Sequence, residues 1–208
     1  MAQQVMALWA EIVPDAPYPM SLEEFHQLPE DGRWVYELVK GRLVRMPHPS
    51  GGHGSIAGLL YFALQSFVRP RNLGYVLAAE TGFVLEVGSE PTELAADAAF
   101  VRKDRAPAPG SQDWYKRWEV APDLVAEVAS PDQHRPEMAT KARQWLAAGV
   151  RLIWVVWPTR HQVDVWLSGY DTPVDTLTLE EHLDGLEVLP GFTLPVRDLF
   201  VEELQQGS

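Results

Sequence analysis

The stretch Ala121-Pro-Asp-Leu-Val-Ala-Glu-Val-Ala-Ser-Pro131 decides the fold. Side chains alternate along a strand, so Leu124, Ala126 and Val128 fill one face, while Val125 and Ala129 fill the other with Glu127 among them. A strand that is apolar on both faces is central in its sheet. Ser130-Pro131 reads as its exit turn. Working toward the C-terminus, Glu137 to Ala148 carries Met138, Ala142, Trp145 and Leu146 on one stripe and stops at Gly149, which predicts a helix with a glycine cap. Arg151 to Trp157 returns as a second two-sided strand and Val163 to Leu167 adds another. The rest, through Leu189-Pro-Gly-Phe192 to Phe200, reads as a closing lobe with a short helix.

Toward the N-terminus the signals are antiparallel and local. Strand-like runs lie at Tyr75 to Ala79, Phe83 to Val87 and Ala95 to Val101, and a polar, proline-rich insert spans Lys103 to Ala121. From Ser50 to Val68 the residues Ile56, Leu59, Leu60, Ala63, Leu64 and Phe67 recur at helical spacing, with Pro70 expected to close the helix. Trp34 to Val39 and Arg42 to Met46 flank Lys40-Gly41 as a two-residue hairpin. Ser21 with Glu24 forms a capping box for a short helix to Leu28, followed by a turn at Pro29 to Gly32. Residues 1–20 read as a loose arm and 21–208 as one domain. Helix, antiparallel strands, helix and strands in that order make an α+β (mixed α/β) fold, a central mixed sheet flanked by helices.

The composition narrows the class. The 208 residues are 46% hydrophobic, contain no Cys and carry a net charge of -12. Disulfides, thiolate nucleophiles, iron–sulfur clusters and Cys-ligated zinc are excluded together. No apolar run reaches the ~18 residues of a membrane span, and no Lys or Arg precedes Arg33, so a soluble, cytoplasmic protein is expected. The charge is partitioned: residues 1–32, 33–160 and 161–208 carry -6, +3 and -9. Only the middle segment can offer a polyanion a mildly basic face.

Two acids stand in apolar company. Alternation puts Asp97 with Ala95, Ala99 and Val101, as it puts Glu127 with Val125 and Ala129. An unpaired buried carboxylate costs several kcal/mol, so each must meet a cation, a metal or the other acid through a shared proton. Lys141 lies about 40° from Trp145 around the helix, at the edge of the buried stripe, and can reach the sheet. Two acids and an amine suit a Mg²⁺ or Mn²⁺ site. They also suit a plain buried ion pair with Lys141 extended along apolar surface. Glu37 shares its hairpin face with Val35 and Val39 as a third acid, and Glu80 precedes the turn-like Thr81-Gly82. His53, in Ser50-Gly-Gly-His-Gly54 at a helix start, sits where backbone N–H groups can receive a phosphate. Walker A, GxGxxG, GxSxG and His-based zinc patterns are missing.

The ordered set Tyr36-Glu-Leu-Val-Lys-Gly-Arg-Leu-Val44, His53-Gly54, Ala96-Asp-Ala-Ala-Phe100, Ala121 to Pro131, Lys141 and Ala148-Gly-Val-Arg-Leu-Ile-Trp154 resembles the Uma2 family of restriction-type endonucleases, within the PD-(D/E)xK nuclease superfamily. The likeness runs from about residue 20 to about residue 200. It implies a restriction-endonuclease-like core with Asp97 as the acid of the PD element, Glu127 as the acid of the (D/E)xK element, and Lys141 as a lysine displaced onto the following helix, since Ala129 holds the usual lysine place. Glu37 and His53 match further family positions. By this resemblance Asp97, Glu127 and Val128 hold Mg²⁺ or Mn²⁺, and an activated water hydrolyses a phosphodiester of DNA in line. The chain departs from the pattern at Ala96, in place of Pro, at Trp145, in place of Tyr, and at Trp157, in place of Asp. A catalytically silent interaction module on the same fold and a hydrolase of small phosphate esters are the alternatives. Trp114, Tyr115 and Trp118 in the insert suggest a lid or a self-association surface, hence a homodimer.

Overall fold

The computed structural model describes residues 11–29 and 32–200. In chain order the strands and helices are β1 (Glu11–Ile12), α1 (Leu22–His26), β2 (Val35–Val39), β3 (Arg42–Met46), α2 (Gly51–Arg71), β4 (Gly74–Val87), β5 (Glu90–Arg102), β6 (Leu124–Val128), α3 (Arg135–Ala147), β7 (Leu152–Trp157), β8 (Gln162–Leu167), β9 (Asp175–Leu177), β10 (His182–Asp184) and β11 (Thr193–Pro195). Strands β1 to β9 form one mixed sheet in the order β1-β3-β2-β5-β6-β7-β8-β9, with β4 paired along β5, and β10 pairs with β11 apart from it. Only β6 and β7 run parallel, joined by α3, and all five residues of β6 and all six of β7 are buried, as a two-sided centre requires.

Two cores lie against this centre. On one face Leu60, Leu64 and Val68 of α2 pack on Phe100, Leu124, Ala126 and Trp154, and the C-terminal lobe closes the edge with Leu183, Phe192 and Phe200. On the other, Met138, Ala142 and Trp145 of α3 pack on Val125, Ile153, Val155 and Phe83. Local sequence chemistry accounts for the boundaries. Ser21 and Glu24 make the expected capping box, and Lys40 and Gly41 both take positive φ in the hairpin turn. Gly41 is also required by space, because a Cβ there would meet the Cβ of Pro19 at 2.8 Å.

Several expectations are corrected. From residue 11 the N-terminal segment is not a loose arm: Glu11–Ile12 pairs with β3, and Met20 is buried in a small third core with Phe25, Leu38 and Leu43. Residues 1–10 of that arm, and part of the turn expected at Pro29 to Gly32, lie outside the described residues. Helix α2 runs through Pro70 to Arg71 and closes on Asn72 in the left-handed conformation. A proline this close to the end removes little of the ladder. The two strands expected around Glu80 are one, β4, with an extra residue bulged between Ala78 and Thr81. In the insert, Trp118 is buried, bridging to Phe83, and Trp114 packs on Tyr75 and Trp118 at centroid distances of 4.8 and 5.2 Å. Of that aromatic trio only Tyr115, 79% exposed, faces outward. The insert is therefore plugged onto the sheet by its own tryptophans.

Candidate active site

The site forms where β5 and β6 part. Their pairing runs from Phe100↔Leu124 to Ala98↔Ala126, and one residue further on the carboxylate of Asp97 takes over from the backbone, its Oδ2 accepting the N–H of Val128 at 2.7 Å. The strand changes phase here, because Leu94 and Ala96 pack in the same core as Ala99 and Val101. The single face expected for Ala95, Asp97, Ala99 and Val101 is thus interrupted at Asp97, opposite the β4 bulge. That break places the acid in the split between the strands instead of in the core.

Glu127 projects from the buried centre of β6 toward α3. Its Oε1 accepts the indole N–H of Trp145 at 2.7 Å and its Oε2 accepts from Lys141 Nζ at 3.0 Å. Lys141 also donates to the carbonyl of Ala95 at 3.2 Å and stands 3.1 Å from Oε1 of Glu37, which itself accepts the N–H of Ala95 at 3.0 Å. The lysine side chain is 10% exposed, so the amine is spent inside the protein. His53, on the first turn of α2, brings Nε2 to 3.1 Å from Asp97 Oδ2. All five residues expected at the site, Glu37, His53, Asp97, Glu127 and Lys141, line one hollow of about 150 Å³. Val128 lines it too, as does Glu80, which the bulge brings to its rim.

The electrostatics are unbalanced. Burial pushes the Glu127 carboxyl up to about 8, against the pull of Lys141 and with the help of Asp97 and Glu37. Lys141 loses by burial but gains more from Glu127, Glu37 and Asp97, so its value is raised and it stays protonated. His53 is likewise penalised by burial, yet Asp97, Glu127 and the Val128 backbone raise its value on balance. Three carboxylates thus converge on one ammonium.

Sequence reasoning missed parts of the surround. Asp132 and Gln133 also line the hollow, and Gln133 Oε1 accepts the N–H of Ser130 at 2.6 Å. The signal is the polar pair Asp132-Gln133 directly after the exit turn at Ser130-Pro131. At the Trp157 departure the adjacent strand carries a buried acid: Asp164 accepts from the Trp157 indole at 2.8 Å, from Arg135 at 2.8 Å and from Thr176 at 2.6 Å. Among the described residues no helix is long and apolar enough to cross a membrane.

No curated protein matches the chain. Among solved structures, the fold matches one described as "a putative nuclease belonging to DUF820 from Anabaena variabilis ATCC 29413", with a TM-score of 0.74 and 21% identity over 89% of this chain and 99% of that one. The sequence model described as "Uma2: Putative restriction endonuclease" matches residues 22–197, which hold every side chain of the hollow. The chain belongs to the Uma2 family.

Proposed function

We propose that the chain is a divalent-metal-dependent endonuclease that hydrolyses phosphodiester bonds in DNA. One observation carries the reading: Glu37, Asp97 and Glu127 come from three strands to one hollow in which, among the described residues, Lys141 is the only ammonium. Buried like charges ask for a counter-charge, and Glu127 meets that demand by holding a proton up to about 8. Among the described residues no three His, Asp or Glu side chains form a ready metal cluster. Mg²⁺ does not need one, since it is commonly held by one or two carboxylates and keeps several waters. The donor set fits in its chemistry: Asp97, Glu127 and the Val128 carbonyl are oxygen donors that would hold the ion. A Mg²⁺ or Mn²⁺ ion bound there supplies the Lewis acid that activates a water for in-line attack at phosphorus.

The chain's own groups do the rest. Lys141, fixed by Glu127, Glu37 and Ala95, holds a permanent positive charge beside the acids and keeps Glu127 in place. Trp145 fixes the other Glu127 oxygen, and Val128 N–H fixes Asp97. His53 presents a proton at Nε2 toward Asp97.

Supercoiled plasmid incubated with Mg²⁺ or Mn²⁺ tests the reading. Wild-type protein nicks or linearises it, EDTA stops the reaction, and Asp97→Asn and Glu127→Gln lower the rate at least ~100-fold while melting as folded proteins. Folded wild-type protein that cuts with neither ion, or Asp97→Asn that cuts as well as wild type, rejects it. The silent-module reading draws on the engagement of both Glu127 oxygens by Trp145 and Lys141. It requires that Mn²⁺ leave the melting temperature unchanged. A homodimer belongs to the nuclease reading as the arrangement that offers a duplex two sites, and light scattering at the single-chain mass of 23.3 kDa rejects it.

A further inference from the structure

We infer that Arg117 is a phosphate anchor: the insert carries it to a second hollow beside the acids, where it grips a substrate-strand phosphate flanking the one that is cut. The inference rests on the nuclease reading. The hollow measures about 380 Å³ and has His26, Trp34, His48 and Arg117 in its lining. It shares Val35, Glu80 and Ala95 with the hollow of Asp97 and Glu127, so a strand leaving the acids runs on into it. Trp118 sets the arginine there. Buried and bridged to Phe83, with its carbonyl accepting the N–H of Val84 at 3.0 Å, it fastens this end of the insert alongside β4.

The way Arg117 is held points to an anion. Its Nε donates to Oε1 of Glu93 at 2.6 Å, and the other oxygen of Glu93 lies 2.6 Å from Nε2 of His26 on α1. Glu93 is a β5 residue whose side chain is only 6% exposed. Gly82 makes room for that carboxylate: a Cβ there would meet Glu93 Oε1 at 2.6 Å, and its φ is not positive, so space and not conformation requires the glycine. An arginine that served only to tie the insert down would close a fork on its acid, as Arg45 does on Glu11 and Arg102 on Asp104, each through both Nε and a terminal nitrogen. At Glu93 the second oxygen is taken by His26, and the fork cannot close. Arg117 is therefore clamped by one nitrogen. Its two terminal nitrogens have no partner among the described residues, and its side chain is half exposed. A guanidinium fixed in orientation with free terminal N–H groups matches the oxygens of a phosphate.

Arg117→Gln tests it, with fluorescein-labelled duplex in Ca²⁺ read by anisotropy. Affinity falls ~tenfold, alike for duplexes of unrelated sequence, because a phosphate contact carries no base information. The slope of log affinity on log salt becomes shallower by about 0.9, the share of one phosphate contact. An ion pair that merely ties the insert down moves the melting temperature and leaves that slope alone. Should Arg117→Gln fail to fold because buried Glu93 has lost its cation, the double variant Arg117→Gln, Glu93→Gln removes acid and cation together and must show the same flattening. A folded variant with the wild-type slope overturns the anchor and leaves the nuclease reading standing. Wild-type protein that cuts no plasmid with Mg²⁺ or Mn²⁺ overturns both.

Discussion

Lys141 and Glu127 decide the site at the scale of single residues. Lys141 faces Glu127 at 3.0 Å and Glu37 at 3.1 Å, so Lys141→Met leaves two buried acids with no cation. Breaking a buried pair from one side costs about 3–5 kcal/mol. The acids regain part of this by taking protons, so the deficit measured by urea unfolding is smaller at pH 5 than at pH 8. The wild-type profile has its own slope. Glu127 holds its proton up to about 8 in the fold against an ordinary 4.5, so its contribution is complete below 4.5 and is lost as pH rises to about 8. One pK unit is ~1.4 kcal/mol, which makes the loss roughly 4–5 kcal/mol across that window. His53, also raised, acts in the same direction above its ordinary 6.5. Lys141 is protonated in both states throughout and adds no slope. Urea titrations from pH 5 to pH 8 should therefore show falling stability in the metal-free protein, with most of the slope gone in Glu127→Gln. A flat wild-type profile refutes this account.

Elements with short-range signals were legible, and those made by distant pairing were not. The capping box of α1, the Lys40-Gly41 hairpin, the stripes of α2 and α3 and the two-sided β6 and β7 follow from spacing alone, because caps, turn residues and apolar periods act within a few positions. One bulged residue breaks the alternation that would mark β4 as a single strand, and β9, β10 and β11 are three-residue strands, too short to show an alternation at all. The insert was misjudged for a related reason: nothing near Trp118 in sequence reveals that Phe83 and Tyr75 will receive it. Trp118→Ala separates the two accounts. Deleting a buried indole that ties the insert to β4 costs about 3–5 kcal/mol, whereas Tyr115→Ala at an exposed position changes stability by less than about 0.5 kcal/mol. Chemical denaturation reads both. A Trp118→Ala variant as stable as wild type would return the insert to the role of a free surface.

At the scale of the molecule, the residue types of the site were readable and their convergence was not. An acid among alanines announces that a partner exists, but it is the β5–β6 pairing that carries Asp97 to Val128 across 31 positions, and the β2–β5 contact that carries Glu37 to Ala95 across 58. The charge distribution has the same character, visible as a sum and meaningful only when placed. With the two ends at -6 and -9, the chain's own field opposes a polyanion at long range, and on the nuclease reading the acids of the hollow oppose DNA locally until a cation is bound. Binding through Lys and Arg would release one counterion for each phosphate contacted and weaken steeply with salt, with a slope of log affinity on log salt of about -0.9 per contact. A divalent ion needs few such contacts. Salt also screens the long-range repulsion, over a Debye length of ~8 Å near physiological ionic strength. Duplex affinity measured by fluorescence anisotropy in Ca²⁺ should therefore fall by less than ~60-fold between 50 and 200 mM NaCl, a slope no steeper than about -3, and should collapse when EDTA is added. A slope near -6 or steeper, undiminished by EDTA, would mean that a basic face grips the backbone and that the hollow of acids does not hold the substrate.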